Sequence, residues 1–288
     1  MRAARKGGDR VALGAVELEF ARPQGERTII QRQFANYPFH ICRGLHFAGD
    51  PHGMVTVYLQ SLAGGIFEHD HLSLDFELAE GAAAHVTTQA STIVHSMSEG
   101  CARQEARIAL EPDSFMEYLP DPMILFPGAR LASQLHIRLA RGTSAILCDS
   151  FLVHDPRGQA GVFAQLTSGI LVEDESGKLL VLDRFAVSGA EYADLTAPIA
   201  GPSAVYGAFM VLHRDLPPQL LTRALGDALI PAGQSGAVLA GASELPNGCG
   251  AWAKLLCKDA VALRRAMDDL WITARRALRE TLPARRRK

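Results

Sequence analysis

Leu72-Ser73-Leu74-Asp75-Phe76-Glu77-Leu78 decides the fold class. Leucine and phenylalanine alternate with serine, aspartate and glutamate, so every second side chain is apolar. An extended chain, whose side chains point alternately to opposite faces, turns that order into one apolar face and one wet face. The same signature spreads outward. Residues 54–62 (MVTVYLQSL), 83–89, 92–97, 103–110, 115–119, 130–139, 145–153, 162–173 and 179–188 are short runs rich in β-branched, aromatic and leucine side chains. Turn residues separate most of them: Glu80-Gly81, Glu99-Gly100, Pro112-Asp113 and the hairpin signal Glu173-Asp174-Glu175-Ser176-Gly177. Strands at this spacing without helices between them argue for a sandwich, a barrel or a stacked-sheet solenoid, not an alternating α/β sheet. No strict repeat of 20–50 residues is visible, so the sequence does not support a regular repeat array.

Helical periodicity is confined to the C-terminal part. A short helix is expected over 218–229. A longer one is expected over 260–282, where Leu263, Met267, Leu270, Trp271, Ala274, Leu278 and Leu282 form one stripe and Arg264, Arg265, Asp268, Arg275 and Arg279 lie off it. Asp259 can cap its start and Pro283 lies just beyond its end. Residues 236–242 and 251–257 read as further strands. The organisation expected is a mobile arm over 1–25, one β-rich domain over 26–282 with both helices inside it, and a basic tail over 283–288.

The 288 residues suffice for a real core, and the composition, 48% hydrophobic and 21% charged, is that of a folded globular chain. No apolar run approaches the length of a membrane helix, which requires about 20 residues. The basic N-terminus lacks an apolar segment and a cleavage site after it, so no secretory signal is expected. Cys42, Cys101, Cys148, Cys249 and Cys257 are scattered, odd in number and without a CxxC pair, which fits reduced thiols in the cytoplasm. From Lys258 onward ten Lys or Arg stand against four Asp or Glu, a charge of +6, which leaves −8 on the rest because the whole chain carries −2. Such asymmetry serves an acidic partner or a solvated helix face. RNP-type aromatics and a helix-turn-helix are missing, so no nucleic-acid role is expected.

Several catalytic signatures are missing from the sequence. Gly177-Lys178 is followed by Leu179 and is not a Walker A loop. There is no GxGxxG after a strand, no GxSxG elbow, no HExxH and no EF-hand loop. Nucleotide hydrolysis, if the protein uses it, must come from a partner.

Seven of the ten histidines (His40, His46, His52, His69, His71, His85, His95) fall between residues 40 and 95. The densest stretch is Glu68-His69-Asp70-His71. On an extended backbone His69 and His71 share one face, and Glu68 and Asp70 the other. Imidazole and carboxylate suit borderline divalent ions such as Ni²⁺ and Zn²⁺. An exposed polar turn is the plain alternative. A second stretch, His85 to Thr92, is unusually polar: Thr87, Thr88 and Gln89 would line either an ordinary exposed sheet face or a surface that tolerates water and hydrated ions. A third, from Glu117-Tyr118-Leu119-Pro120-Asp121-Pro122 to Phe126-Pro127-Gly128-Ala129, holds Asp121 between two prolines, a stiff place for a fixed contact or simply a rigid crossing. The pair His69/His71 also suits a cupin-like barrel metalloenzyme, although the nearest following glutamate, Glu77, lies six residues on.

In order and spacing these stretches resemble the UreD (UreH) family of urease accessory proteins. The resemblance rests on Gly64-Gly65-Ile66 with Asp70 and Leu72, Glu80-Gly81-Ala82 leading into Val86 to Thr92, Glu117-Tyr118-Leu119-Pro120, and Ile124 to Arg130. It is densest over 54–140. Phe67-Glu68-His69 stands where that family often has a glycine-rich turn, and the chain end lacks the family's Pro-Arg-aromatic signature. The resemblance implies a mainly β, stacked-sheet, β-helix-like single domain with two C-terminal α-helices. It implies a non-catalytic scaffold that docks apo-urease, UreF and, through UreF, the GTPase UreG, and that helps deliver nickel. No cofactor is expected to be tightly bound; Ni²⁺ would be held transiently by Glu68, His69, Asp70, His71 and Asp75. Thr87, Thr88 and Gln89 would line its path and Asp121 would lie near a docking surface. A cupin-like enzyme and a metal-free β interaction module are the alternatives.

Overall fold

The computed structural model describes residues 14–198, 201 and 204–284. It opens with a strand, β1 (Gly14–Ala21), whose Val16, Leu18 and Phe20 are buried while Glu17 and Glu19 face outward. This corrects the expectation of an arm over 1–25: residues 14–21 form an inner strand of a sheet, and residues 1–13 lie outside the described residues. The alternation in Gly-Ala-Val-Glu-Leu-Glu-Phe-Ala is the physical reason.

The chain continues through β2 (Ile29–Ala35), β3 (Phe39–Ile41), β4 (Val55–Ser61), β5 (His71–Leu78), β6 (Ala83–Thr88), β7 (Ile93–Val94), β8 (Ala102–Leu110), β9 (Phe115–Tyr118), β10 (Met123–Leu125), β11 (Arg130–Leu139), β12 (Ser144–Val153) and β13 (Gln165–Asp174). Strands β5, β8, β11 and β13 stack in parallel register in a first sheet, and β4, β6, β9 and β12 stack in parallel in a second. The chain alternates between the two sheets, and the short β7 and β10 form a third side. The architecture is therefore a β-solenoid, in keeping with the stacked-sheet expectation.

The coils repeat in structure without repeating in sequence. After each long strand of the first sheet the chain turns through a left-handed residue: Gly81, Asp113 and Gly142, with φ of 68°, 57° and 71°. These corners stack, Gly81 N–H donating to Pro112 O and Asp113 N–H to Arg141 O. A Cβ on Gly142 would meet the Asp113 carboxylate, and its positive φ favours glycine there. The parity of inward residues and the corner conformation carry the repeat, and neither demands a fixed residue type.

After β13 the direction reverses. β14 (Leu179–Val187) pairs antiparallel with β13, and α1 (Gly189–Thr196) follows behind a Ser188–Glu191 capping box. This helix was not expected from the sequence. β15 (Val205–His213), α2 (Pro218–Gln234), β16 (Val238–Glu244), β17 (Gly250–Cys257) and α3 (Ala260–Arg279) complete the chain. The first sheet has the order β14-β13-β11-β8-β5-β1-β2 and the second β16-β17-β15-β12-β9-β6-β4-β3. Both remain open-edged sheets, so the closed barrel of a cupin-like enzyme is not formed.

α2 runs past residue 229 to Gln234, and α3 stops at Arg279, ahead of residue 282, where Glu280 adopts a left-handed conformation. Asp259 caps α3 by accepting from Ala262 N–H at 2.8 Å. Leu221, Leu225 and Leu229 of α2 and Leu263, Ala266, Leu270 and Ala274 of α3 pack on Phe115, Ile146, Phe209 and Ala253 of the second sheet. Each fully buried leucine contributes about 1.5–3 kcal/mol. Of the tail expected over 283–288, residues 285–288 lie outside the described residues, while Ala284 N–H donates to Asp50 Oδ1.

Candidate functional site

Between the two sheets the apolar interior is split in two. One cluster holds Leu147, Met210, Ala106 and Ile170; the other holds Phe151, Ala102, Leu131 and Leu166, with Tyr206 packed against it. On β8, β11, β12, β13, β15 and β17 one inward position lies between the two clusters, and a polar side chain occupies most of these. In the first sheet Gln104, Ser133 and Ser168 are direct register neighbours on β8, β11 and β13. In the second, Thr88 follows the buried Val86 on β6, and Asp149 of β12 aligns through Ala208 of β15 with Lys254 of β17. Ser168 Oγ donates to Asp149 Oδ2 at 3.0 Å and links the sheets. Lys254 Nζ lies 3.0 and 3.2 Å from the two carboxylate oxygens of Asp183 on β14.

This polar row is electrostatically under-compensated. Burial pushes the Asp149 carboxyl up from its ordinary value; the Ser168 hydrogen bond opposes this and the charge of Asp183 adds to it. Burial also raises the Tyr118 and Tyr206 phenols, both of which feel the charge of Asp149. Among the described residues no lysine or arginine is ion-paired with Asp149 itself.

A second charged centre lies on the opposite face of the same sheet, under α3. Arg275, fully buried, holds Glu117 with two bonds, Nε to Oε1 and Nη2 to Oε2, each 2.6 Å. Its Nη1 reaches Asp50 Oδ1 at 3.1 Å, Trp271 Nε1–H donates to Glu117 Oε1 at 2.8 Å, and His85 Nδ1 lies 2.7 Å from Glu117 Oε2. Burial alone would raise the Glu117 carboxyl, but its bonds to His85 and Arg275 hold it down at about 2. The stripe read along α3 placed Arg275 on the solvent side; the structure corrects this, because a guanidinium with paired carboxylates fits where an unpaired charge would not. Beside this centre a cavity of about 810 Å³ is lined by His85, Thr87, Gln89, Asp121, Cys148 and Trp271, among others.

The residues singled out in the sequence are dispersed. Glu68 anchors a turn by accepting from Ser98 Oγ and from the backbone N–H groups of Glu99 and Gly100, which lower its carboxyl to about 2. His69 has a φ of 69°, so it sits in that turn and not on an extended strand, and it does not share a strand face with His71. The Asp70 carboxylate accepts from Phe67 N–H. His71 and Asp75 lie on β5, His71 3.5 Å from Glu105 and Asp75 bonded to Ser73 and 3.6 Å from Arg107. Thr88 alternates onto the inner side and its Oγ1 accepts from Asp121 N–H, whereas Thr87 and Gln89 line the cavity under α3. Among the described residues no group of three or more His, Cys, Asp or Glu could hold a metal ion. Asp149 and Asp183 were not singled out, yet each interrupts an apolar strand at an inward position, as in Ala-Ile-Leu-Cys-Asp-Ser-Phe-Leu-Val.

Comparison with known proteins matches residues 12–288 to the UreD urease accessory protein family. Urease accessory protein UreD 1 of Pseudomonas syringae pv. syringae (strain B728a) is 37% identical over 271 residues, 94% of each chain. Urease accessory protein UreD 1 of Methylorubrum populi is 39% identical over 271 residues, 94% of this chain and 90% of its own. UreD 2 of Streptomyces griseus subsp. griseus is 30% identical over 275 residues, 94% and 92% of the two chains. With that coverage and identity behind the family match, the chain belongs to the UreD urease accessory protein family.

Proposed function

We propose that this protein serves urease maturation as a passive scaffold whose inter-sheet polar row conducts nickel. As a UreD family member it is a non-catalytic urease accessory protein involved in nickel insertion into urease. The proposed step beyond this concerns how the ion travels. The observation that carries it is the row of Gln104, Ser133, Ser168, Thr88 and Asp149 between two apolar clusters. Hydroxyls, an amide and carboxylates replace hydration one contact at a time, and with few ligands at each place the ion stays exchangeable. Apolar walls lower the local dielectric and strengthen the attraction of Asp149 and Asp183 for a divalent cation.

On this reading Ni²⁺ is cargo and not a resident cofactor. Glu68, His69 and Asp70 on the third-side turn, with His71 and Asp75 on β5, would draw the ion to the surface by weak ligation. Thr88 would line the row, and Thr87 and Gln89 the cavity under α3. Asp121, beside that cavity, would lie near a docking surface. The partners proposed are apo-urease, UreF and, through UreF, the GTPase UreG, which would supply the nucleotide chemistry. No helix of the described residues is long and apolar enough to cross a membrane, and none of the five cysteines is joined in a disulfide; a cytoplasmic location is proposed with the partners.

The test is urease activation in cells at limiting nickel. Asp149→Asn with Asp183→Asn keeps shape and removes both charges. Activation is expected to fall at least about tenfold, as for loss of a charged group in a low-dielectric site, with partner co-purification unchanged. Full activation by that double variant overturns the nickel path and leaves a metal-free interaction module as the better reading.

A further inference from the structure

We propose that Lys254 is a tethered counter-ion that closes the end of the polar row, a gate that the travelling divalent cation must displace. The proposal rests on the nickel path above and adds a residue with a distinct role. Lys254 occupies the inward position of β17 between Trp252 and Leu256, which pack on the two apolar clusters. Its ammonium sits 4.1 Å over the centroid of the Trp252 ring while bridging both oxygens of Asp183. The Trp252 ring is fixed by an indole N–H to Ser243 Oγ bond. The charge is therefore held between an aromatic face and a carboxylate, unlike that of a lysine waving in solvent.

That place is where the row meets water. The Lys254 side chain is 39% exposed and that of Asp183 19%. β14 is the outermost strand of the first sheet, and β17 is followed only by β16 in the second. Asp149 lies in the same register row, two strands inward through Ala208. With Asp149 ionised, two carboxylates and one ammonium leave this end with one uncompensated negative charge. A divalent ion interacts with each carboxylate about twice as strongly as the ammonium does at equal distance. It can therefore exchange for Lys254, while a monovalent ion gains nothing by doing so. The ammonium keeps the acidic end occupied when no cargo is present, and its flexible stem lets it swing out to solvent when cargo arrives. Stability does not explain the pair, because a partly exposed Lys–Asp bridge contributes only about 0–1 kcal/mol.

The measurement is a Ni²⁺ titration of the purified full-length protein, with Ni²⁺ alone as the probe. Lys254→Met retains the apolar stem and the packing on Trp252 but removes the competing charge. It is expected to bind Ni²⁺ about tenfold more tightly than the wild type. Lys254→Arg is expected to match the wild type, and Lys254→Met with Asp183→Asn to lose the gain. Lys254→Gln, which can still bond Asp183, serves as the second variant should the methionine variant misfold, with the same direction expected. Wild-type affinity in the methionine variant, or in the glutamine variant where it stands in, overturns the gate. If Asp149→Asn with Asp183→Asn still abolishes activation, the gate alone has failed; if that double variant activates urease fully, the path itself has failed.

Discussion

Glu117 and Asp149 stand on β9 and β12, neighbouring strands of one sheet, and their side chains leave it on opposite faces. Both are carboxylates drawn away from water, and they have been treated in opposite ways. Glu117 receives a two-pronged guanidinium, an indole N–H and an imidazole, and its carboxyl titrates far below the usual range. Asp149 is raised above its ordinary value by burial; a hydroxyl and the Ser150 backbone N–H bond it, Asp183 repels it, and Lys254, ion-paired to Asp183, attracts it only from a distance. A buried charge with a full complement of partners is a structural rivet. One with an incomplete complement is receptive to a cation, and on the proposed nickel path that incompleteness is the useful property.

The contrast is broken most severely at Arg275. Arg275→Met leaves Glu117 buried without its counter-charge and is expected to destabilise the fold by about 3–5 kcal/mol in denaturant unfolding. Adding Glu117→Gln should return much of that loss. A cost below about 1 kcal/mol for the single variant would mean that Glu117 is not a rivet.

The pH dependence separates the two sites further. The Glu117 carboxyl is depressed, so its contribution is complete above about 4.5, the ordinary glutamate value, and is lost as pH falls towards about 2. Asp149 is raised, so its contribution runs the other way: it favours the fold below the ordinary aspartate value of 3.8 and is lost as pH rises through the raised one. Unfolding free energy measured against pH should therefore lose part of its acid-side fall in Glu117→Gln, the rest remaining with other depressed carboxylates such as Glu68 and Asp174. In Asp149→Asn the fold should be relatively more stable on the neutral side. Identical profiles in both variants would erase the distinction.

The gentlest probe is Thr88→Leu combined with Asp70→Ala. A leucine at position 88 would continue the apolar cluster of Val86 into the row. Stability should fall by about 1–3 kcal/mol, because the leucine leaves the Asp121 N–H without the Thr88 hydroxyl, and partner co-purification should persist. Urease activation at limiting nickel should fall a few-fold.

The sequence reveals parity far better than it reveals neighbours. The alternation in 72–78 and the stripe of α3 are local; the first is realised where it was read, and the second from Leu263 to Leu278, with Leu282 exposed beyond the helix end. The same alternation in Gly14–Ala21 was legible but was hidden by its position next to a basic N-terminus. α1 is only eight residues long, too short for periodicity to register, although its Ser188–Glu191 capping box was there to be read. The His69/His71 pairing failed because an extended backbone was assumed across a residue with positive φ, and nothing in Glu-His-Asp-His marks that turn. Arg275 lies at the margin of the α3 stripe, where a helical wheel cannot tell a solvent charge from one aimed at a carboxylate 158 residues earlier. Asp149, Ser168, Asp183 and Lys254 come together only through strand register, which depends on corner length in every coil. Each appears in the sequence as a polar residue in a mostly apolar strand, and only stacking makes them a row.

The stacking of Gln104, Ser133 and Ser168 in one register line has an evolutionary consequence. Corners between coils tolerate added or lost residues better than strands do, provided the next strand re-enters in the same register. A single insertion within β8, β11 or β13 would swap the inner and outer faces of that strand and put an apolar side chain into the line. Natural length variation among homologues should therefore accumulate at the corners and spare these three strands, even where the polar residues themselves drift among serine, threonine and glutamine.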